Sequence, residues 1–350
     1  MSKVEGVVVG LDVGYGNIKL AAGGVGEAPW EQVMPAGAAP VALMPKRIDR
    51  TPDLKGGELV LLPVAEDEVE EWVAGVDQMH VQNNTRQTHE RYTSTREYHA
   101  LFLGALAKLG REKVKLLVTG LPVSQYFGER GEELRKGLAQ LMRGKHVING
   151  ASTVEVEKVV VMPQAVGSFF AVASRPEHRI LTADETMATL IVDIGFYSCD
   201  WAVMSGKSVR EKSSASSQFA MSFVMEEAAK VLGERHGRTV DRDKIELAWR
   251  RNQSSLVIGG EEVDYRSVMR EVGSEIAERV AGQILTSTRN ERSGIDVVVL
   301  TGGGAPLFLP AIAKSFPKAK VIEQDDPVLG NARGYQVYGQ LLLGAAKKVA

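Results

Sequence analysis

The chain has 350 residues, enough for two domains of ordinary size, with 44% hydrophobic and 25% charged residues as in typical globular proteins. Its formal net charge of −2 provides no global basic field, so we expect no direct contact with nucleic acid. A single cysteine excludes an intrachain disulfide, and the sequence has no run of about 18 apolar residues. We therefore expect a cytoplasmic protein without a membrane partner.

The first apolar run of the chain ends in a carboxylate. Residues 7–11 and 18–22 predict the two strands of a hairpin around a glycine-rich turn. The end of the first strand and the turn contain an acid, two glycines, an amide and a lysine: Asp12, Gly14, Gly16, Asn17 and Lys19. This combination within eight residues indicates chemistry beyond that of a simple turn.

The rest of the first half predicts alternating helices and strands. Residues 23–60 are rich in Gly, Pro and Ala and weakly periodic, and residues 66–97 are polar and charged. Together they predict a small, exposed subdomain at about 30–95. Helical spacing of apolar residues then covers 95–109, with Gly110 as the stop. Further elements follow in chain order: a strand over 114–119, a helix over 129–143, a strand over 154–162 and a buried helix over 165–173.

A second cycle then repeats the opening pattern. An apolar strand over 188–193 ends in Asp193, Gly195 follows, and a strand over 200–205 returns. The later elements are a helix over 219–232, a second small subdomain over 233–263, a long helix over 265–288, a strand over 295–300 and a short helix over 307–316. The echo between the halves predicts two α/β domains of related topology around a cleft.

The glycine-rich turns suit a phosphate chain. Glycine lets the backbone come close to a ligand, and the amides of such a turn form an anion-binding nest. Asn17 adds a donor and Lys19 a positive charge, whereas Asp12 has the wrong sign for phosphate unless magnesium lies between them, held through water. The same logic applies to Asp193 and the amides of residues 195–198. One such turn alone is more often only a hairpin; two after apolar strands favour a phosphate site.

Other phosphate-binding patterns fit less well. The sequence contains no G-x-x-x-x-G-K-[ST] motif, and Gly14 and Gly16 lead into a predicted strand instead of the helix of a dinucleotide-binding turn. A third glycine-rich segment, residues 302–304, follows another predicted strand.

These motifs resemble those of the actin, sugar-kinase and heat-shock chaperone superfamily of ATPases. Residues 12–19 (DVGYGNIK) are similar to the first phosphate motif in its bacterial actin-like form, 193–200 (DIGFYSCD) to the second, and 300–305 (LTGGGA) to the adenosine motif. Residues 119–127 (TGLPVSQYF) and 331–335 (NARGY) are similar to plasmid-segregation actins of the ParM/StbA type. The chain departs from the family in Phe196, where a second glycine is common, and in Cys199, where a threonine is common.

The resemblance implies an α/β, actin-like two-domain fold made of duplicated ribonuclease H-like domains, with a nucleotide cleft between them. Domain I would be 1–164 plus 335–350, with its small subdomain at about 30–95. Domain II would be 165–334, with its small subdomain at about 233–263. The resemblance also implies that Glu226 or Lys230 reaches the sugar of the nucleotide, while Arg333 suits either a nucleotide-side or a surface position.

The resemblance further assigns roles to site residues. Gln164, at the start of a helix, would position the attacking water, with Asp12 and Asp193 as the other catalytic residues and, through water, the magnesium ligands. The nucleotide-binding residues would be Asp12, Gly14, Tyr15, Gly16, Asn17, Lys19, Gly195, Phe196, Tyr197, Ser198, Gly302, Gly303, Gly304 and Ala305. The cofactors would be magnesium and ATP, with GTP as an open alternative.

The main functional hypothesis is an actin-like ATPase whose filaments depend on nucleotide and separate plasmid DNA through a DNA-binding adaptor protein. Its partners would be other copies of itself and that adaptor. Two alternatives stay open: a small-molecule kinase on the same fold, and an ATP-binding scaffold that does not polymerise. Against a kinase, the residue at the catalytic position is Gln164, which suits water, and no aspartate presents itself as the base for a substrate hydroxyl.

Overall fold

The structure is a computed structural model, and it describes residues 7–24, 27–65, 68–82, 91–150, 152–291 and 294–349, with side chains to residue 345. The chain divides into two compact units. Unit 1 consists of Met1–His178 and Val328–Ala350, and unit 2 of Arg179–Pro327. No helix in the described ranges is long and apolar enough to cross a membrane.

Most of unit 1 lies in the first half of the chain. Its strands are β1 Val7–Val13, β2 Asn17–Gly23, β3 Trp30–Pro35, β4 Gly37–Pro40, β5 Glu58–Ala65, β6 Glu68–Val76, β7 Lys113–Leu121, β8 Gly144–Val147, β9 Thr153–Val156 and β10 Val159–Pro163. Its helices in this half are α1 Arg96–Leu109, α2 Val123–Phe127, α3 Gly131–Met142 and α4 Val166–Ala173.

The second half supplies unit 2 and then returns to unit 1. The strands of unit 2 are β11 Thr189–Ile194, β12 Cys199–Ser205, β13 Ser208–Val209, β14 Ala215–Ser217, β15 Leu256–Ile258, β16 Glu261–Val263, β17 Val297–Thr301 and β18 Lys320–Glu323. Its helices are α5 Ile180–Ala183, α6 Met221–His236, α7 Arg242–Arg250, α8 Tyr265–Thr288 and α9 Ala305–Ser315. Helix α10, Gly330–Val349, belongs to unit 1.

The main sheet of unit 1 has the order β3-β2-β1-β7-β9-β8, with β10 also paired to β7. Strands β1 and β2 form the antiparallel hairpin predicted from the sequence, while β1 and β10 both run parallel to β7. The carboxyl ends of β1, β7 and β10 therefore lie along one edge of the sheet. A separate sheet, β4-β6-β5, packs against α1, where Gly104 leaves room for Ala74.

The main sheet of unit 2 has the order β13-β12-β11-β17-β18, with β14 on β12. Strands β11 and β12 form an antiparallel hairpin, and β11 runs parallel to β17. Each unit thus contains a hairpin whose first strand is followed in the sheet by a parallel strand, which confirms the predicted echo. The predicted mixed α/β composition and the division into two units are confirmed as well.

Helix α10 covers β1 through glycines that let backbones approach. A Cβ atom added at Gly10 would lie 2.0 Å from the carbonyl oxygen of Ala332. One added at Gly334 would lie 1.6 Å from the carbonyl oxygen of Gly167 on α4. Any side chain at these positions would push α10 away from the sheet or from α4. These contacts place α4 and the start of α10 in unit 1.

The compact units divide at other residues than the predicted domains. The sequence placed the boundaries at 164/165 and 334/335, whereas the units divide at 178/179 and 327/328. The physical reason is the close packing of α4 on α10, which attaches residues beyond 164 to unit 1.

Several elements match their predictions closely, and others differ for identifiable reasons. Helix α8 has the predicted bounds, and α1 begins after Thr95, whose hydroxyl accepts from the Tyr98 amide, and ends at Gly110 with φ of 61°. The strand predicted over 154–162 is two strands, because β9 pairs with the start of β7 and β10 with its end. The weakly periodic region 30–95 contains four strands, β3 to β6.

Candidate functional site

The hairpin of unit 1, residues 12–19, is named hairpin 1. Asp12 lies near the end of β1 and directly faces Lys19 on β2. The Lys19 Nζ atom donates to Asp12 Oδ2 at 2.9 Å, and Asp12 is only 4% exposed. A buried carboxylate at a strand end therefore already has a cation beside it, and the two predicted site residues are together.

The turn of hairpin 1 is closed by backbone hydrogen bonds. The Gly14 amide donates to the Asn17 carbonyl at 3.1 Å, and the Gly16 carbonyl accepts from the Ala36 amide at 3.1 Å. A Cβ atom at Gly14 would lie 3.0 Å from Lys19 Nζ, so the glycine leaves space beside the ammonium group. The side-chain oxygen of Asn17 is buried and has no hydrogen-bond partner among the described residues.

A group of tyrosines supports hairpin 1. The ring of Tyr15 stacks on that of Tyr92 with centroids 3.9 Å apart and planes 17° apart. Tyr92 in turn meets Tyr98 edge to face at 5.2 Å. Tyr98 is buried, and burial first, then the negative charge of Asp12, raises the pKa of its hydroxyl, which stays neutral. Neither Tyr92 nor Tyr98 was predicted as a site residue, and Tyr98 was visible in the sequence only as part of the apolar spacing of the helix predicted over 95–109.

Gln164 leaves the sheet at the edge where Asp12 lies. It follows β10, and its amide donates to the Leu121 carbonyl at 2.7 Å. Because β1 and β10 flank β7, Asp12 and Gln164 are separated by two strand spacings, roughly 10 Å. The next residue, Ala165, has φ of 68°, a backbone conformation that costs energy in any residue with a side chain. This turn fixes where the half-buried Gln164 side chain starts.

Gly120 makes room for Gln164. A Cβ atom there would lie 3.1 Å from Gln164 Cγ and 1.9 Å from the hydroxyl oxygen of Tyr335. Both side chains thus pack against the same bare α-carbon. Tyr335 is fully buried; in the sequence it belongs to the segment 331–335, and no role was predicted for it.

The hairpin of unit 2, residues 193–200, is named hairpin 2. Asp193 is 8% exposed and directly faces Asp200, so two carboxylates oppose each other where hairpin 1 has a carboxylate and a lysine. Asp200 accepts hydrogen bonds from the hydroxyls of Ser198, at 2.5 Å, and Ser216. The Gly195 amide donates to the Ser198 carbonyl at 3.0 Å and closes the turn.

The tip of hairpin 2 contacts the start of two helices. The Ser222 amide, at the start of α6, donates to the Phe196 carbonyl at 2.7 Å. The Phe196 ring packs on the core of unit 2, with the guanidinium carbon of Arg242 5.8 Å from its centroid. Tyr197 is half-buried, and its hydroxyl lies 3.4 Å from Gln218 Nε2. Arg242 was not identified from the sequence, because nothing there links it to the hairpin.

The third glycine-rich segment, residues 302–305, lies against hairpin 2. Thr301 pairs with Asp193 in the β11–β17 register. Gly302 has φ of 85°, and a Cβ atom there would be 2.4 Å from the Ile194 carbonyl oxygen and 2.5 Å from Asp193 Oδ1. The Gly304 amide donates to the Ile194 carbonyl at 3.0 Å, while Ala305 begins α9. Only glycine fits at residue 302. Because no side chain separates them there, the backbone of segment 302–304, including Gly303, packs directly against the backbone of hairpin 2.

Other residues singled out from the sequence have contacts and surroundings of their own. Cys199 is fully buried, and burial first, then the charges of Asp200 and Asp193, raises the pKa of its thiol well above the ordinary value. Glu226 and Lys230 are exposed on α6 and lie 3.6 Å apart as an ion pair. Arg333 forms a two-pronged pair with Glu31 on β3, at 2.7 and 2.8 Å, so the structure gives it a partner within unit 1.

The residues of both hairpins suit a magnesium–nucleotide ligand. Hairpin 1 offers a buried carboxylate, a lysine, bare backbone at two glycines and the unpartnered side-chain oxygen of Asn17. Hairpin 2 offers a second buried carboxylate and turn amides beside the glycine segment. No group of three His, Cys, Asp or Glu side chains in the described part of the chain could hold a metal ion. Magnesium suits single carboxylates, because it keeps most of its waters and takes phosphate oxygens as ligands.

Comparisons with known proteins confirm the predicted actin-like fold. Residues 10–167 match the family of actin like proteins, N terminal domain, and 191–314 match that of the archaeal actin homologue MreB-like, C-terminal. The first match lies in unit 1 and the second in unit 2. No protein of curated function matches the sequence.

Solved structures share the fold at low sequence identity. A 15-stranded ParM filament from Clostridium botulinum has a TM-score of 0.74 and 16% identity, over 97% of this chain and 100% of that one. An archaeal actin homologue in complex with ADP has a TM-score of 0.71 and 17% identity, over 98% and 99%. Bacillus thuringiensis ParM with AMPPNP has a TM-score of 0.64 and 14% identity, over 97% and 99%.

Proposed function

We propose that this chain, which belongs to the actin-like proteins, binds and hydrolyses ATP and assembles into filaments that depend on the bound nucleotide. The observation that carries the proposal is the pair of hairpins. Each ends its first strand in a buried aspartate and continues through a glycine-containing turn. Such turns bind phosphate through backbone amides, and the aspartates would hold magnesium through water.

The proposed roles follow from the contacts of each residue. Bound magnesium would neutralise charge on the triphosphate. Lys19 now pairs with Asp12 at 2.9 Å, and on binding it would exchange that carboxylate for phosphate oxygens. Asn17 would supply its amide group, and the backbone at Gly14, Gly16, Gly195 and Ser198 would contact the phosphates. The backbone of residues 302–304 would pack against the adenosine, and the same backbone surface would serve a guanosine if GTP is used.

Gln164 is the proposed water-positioning residue. Its side chain leaves the edge of the sheet at which Asp12 lies, and its turn is fixed by the backbone of Ala165 and by packing over Gly120. An amide cannot take a proton at neutral pH, so Gln164 would orient the attacking water instead of deprotonating it. A kinase would need a carboxylate base for its acceptor at this point.

The biological role we propose is segregation of plasmid DNA through an adaptor protein, in the cytoplasm. The likeness to ParM, one example of which was solved as a filament, supports it. The net charge of −2 favours contact with DNA through an adaptor over direct contact. A coupling of a few kcal/mol between nucleotide and subunit contacts is enough to switch assembly.

The test combines light scattering with phosphate release, in magnesium with ATP, a non-hydrolysable analogue, GTP or ADP. We expect scattering to rise with ATP, persist with the analogue and stay low with ADP. The Gln164→Ala variant should release phosphate about 100-fold more slowly while still scattering with ATP. The matched control is Gln140→Ala, on the exposed side of α3, which should leave both signals unchanged.

Each alternative has its own outcome. Scattering with ATP but no phosphate release in the wild type would indicate a filament without turnover. Phosphate release without scattering at tens of micromolar protein would contradict the filament proposal and favour a kinase, for which stimulation by a small hydroxyl compound would be sought. Binding of ATP with neither signal would indicate a non-polymerising scaffold.

A further inference from the structure

Both hairpins carry an aromatic residue at the same position. Tyr15 is the third residue after Asp12, and Phe196 is the third residue after Asp193. Each ring packs against a side chain from the start of another helix in the same unit. Tyr15 meets Tyr92, which lies four residues before α1, and Phe196 meets Arg242, the first residue of α7.

The contact in unit 1 is a stack with a polar reinforcement. The Tyr15 and Tyr92 rings lie nearly parallel at 3.9 Å, and the Tyr92 hydroxyl donates to the Gly14 carbonyl at 3.4 Å. Tyr92 is held from behind by the edge of Tyr98, which is buried in the core. A single side chain thus contacts both the ring and the backbone of hairpin 1.

The contact in unit 2 uses a cation in place of a second ring. The guanidinium of Arg242 lies over Phe196 at 5.8 Å, within the range of a cation–π interaction. Its Nη2 atom is 3.4 Å from Asp243, while its Nε is buried without a hydrogen-bond partner in the described residues. A buried, unpartnered donor is unusual, so the position of Arg242 is not explained by its own hydrogen bonds. The ring contact explains it.

The two contacts limit the conformational freedom that glycine gives each turn. Backbone amides bind phosphate well only when the turn already has the binding conformation, whereas glycine makes a turn adopt many conformations. A ring held by a partner at or just before a helix start restricts the turn before the ligand arrives. This also accounts for Phe196, where a glycine is common in the family.

We infer that Tyr92 and Arg242 are positioning residues, which hold the turns of hairpin 1 and hairpin 2 in their phosphate-binding conformation. The inference rests on the proposed binding of ATP. It predicts that removing the side chain of Tyr92 or of Arg242 weakens binding of the triphosphate and leaves the binding of adenosine unchanged. The reason is that only the phosphates would contact the turns.

The test measures the affinity of the full chain for the non-hydrolysable ATP analogue and for adenosine, in magnesium, by calorimetry or competition. We expect Tyr92→Leu to weaken analogue binding about tenfold and Arg242→Gln about threefold. The conservative variants Tyr92→Phe, which keeps the ring, and Arg242→Lys, which keeps the charge, should stay within about twofold of the wild type. Melting curves would confirm that each variant is folded.

Matched controls use the same kinds of contact away from the hairpins. Arg266 lies over Trp249 at 5.7 Å in unit 2, and Tyr338 packs on Phe170 with centroids 4.9 Å apart in unit 1. Arg266→Gln and Tyr338→Leu should leave analogue affinity unchanged. Equal losses for analogue and adenosine, no loss in Tyr92→Leu and Arg242→Gln, or failure of the conservative variants to restore binding would each overturn the inference. A wild type that binds no nucleotide would instead overturn the proposed function.

Discussion

Hairpin 1 and hairpin 2 have the same backbone plan but different charges. In each, an aspartate lies near the end of the first strand, and a residue of the returning strand faces it directly. In hairpin 1 that residue is Lys19, at 2.9 Å from the carboxylate. In hairpin 2 it is Asp200, so two acids oppose each other, and serine hydroxyls from Ser198 and Ser216 hydrogen-bond to the second.

Comparing the two hairpins separates the features that the shared backbone requires from those that vary. Both turns need glycine and a strand-end acid, and both units supply them at matching positions. The residue facing the strand-end acid differs between the units: it is a lysine in one, and in the other a second carboxylate that accepts from serine hydroxyls. The surroundings differ too, since hairpin 2 lies against the glycine segment 302–304 and hairpin 1 against tyrosines.

The largest expected effect comes from filling the space behind hairpin 2. Gly302→Ala would place a Cβ atom 2.4 Å from the Ile194 carbonyl oxygen, on a backbone with φ of 85°. We expect a loss of about 4 kcal/mol in the free energy of unfolding, measured by urea denaturation. Gly237→Ala is the control, because Gly237 has φ of 60° but open space around it, and it should lose only about 1 kcal/mol.

If Gly302→Ala lowered the free energy of unfolding no more than Gly237→Ala, the segment would not be in close contact with hairpin 2. Gly14 of hairpin 1 provides a second substitution to compare with Gly302→Ala. A Cβ atom at Gly14 would meet the flexible end of Lys19 at 3.0 Å and the Asn17 carbonyl oxygen at 3.3 Å, both looser than the contacts at residue 302, so Gly14→Ala should cost less than Gly302→Ala.

Removing the cation of hairpin 1 should have the next largest effect. Lys19→Met leaves the buried Asp12 carboxylate without its 2.9 Å partner, and we expect a loss of about 2 kcal/mol in the free energy of unfolding. The control is Lys113→Met, because Lys113 pairs with Glu157 at the surface, where ion pairs contribute little. Denaturant titration measures the free energy of unfolding of both variants. Equal losses would show that Lys19 does not neutralise Asp12.

Removing a hydroxyl donor in hairpin 2 should have a smaller effect of the same kind. Ser216→Ala takes one hydrogen bond from the buried Asp200 carboxylate, and we expect a loss of about 1.5 kcal/mol in the free energy of unfolding. The exposed Ser174, which donates only to the Ala171 carbonyl, provides the control Ser174→Ala. If Ser216→Ala is neutral in thermal and urea unfolding, the hydroxyls do not replace the missing lysine.

The smallest effect appears only at high pH. Cys199 occupies in hairpin 2 the inward-facing position that Ile18 has in hairpin 1, and burial raises the pKa of its thiol. Above the ordinary thiol pKa of about 8.5, the unfolded chain loses this proton and the folded chain keeps it, so folding becomes less favourable as pH rises. Between pH 8 and 9.5 the wild type should lose about 1 kcal/mol more than Cys199→Ala.

The same thiol gives a chemical measurement. Below pH 8.5 a disulfide reagent should modify Cys199 only after urea unfolds the protein, because the thiolate is the reacting form and the residue is buried. Rapid modification of the folded protein would contradict the burial of this position.

Local patterns were enough to predict most of the fold. The hairpins, α1 with its Thr95 and Gly110 ends, and α8 follow from apolar periodicity and stop signals, which are properties of neighbouring residues. The strands of region 30–95 and the step between β9 and β10 were missed. Their pairing depends on residues far away in the sequence, and no local period reveals it.

The candidate site divides in the same way. Asp12, Lys19, Asp193 and the glycines could be predicted because they are close together in the sequence. Tyr92 and Arg242 could not, since each reaches its hairpin from 77 or 46 residues away and has no motif of its own. The one local signal was Phe196, an aromatic residue where a glycine is common in the family, and it did not identify the residue that packs on it.

Helix α10 has a consequence for how the protein is made. It covers β1, with the carbonyl of Ala332 packed where Gly10 has no side chain, yet it is synthesised only after the whole of unit 2. While a ribosome is still translating unit 2, helix α10 has not yet been made, so β1 of unit 1 cannot yet pack against it. Unit 2 is continuous in sequence and can fold without such a delay, so nascent chains should acquire protease resistance in unit 2 before unit 1.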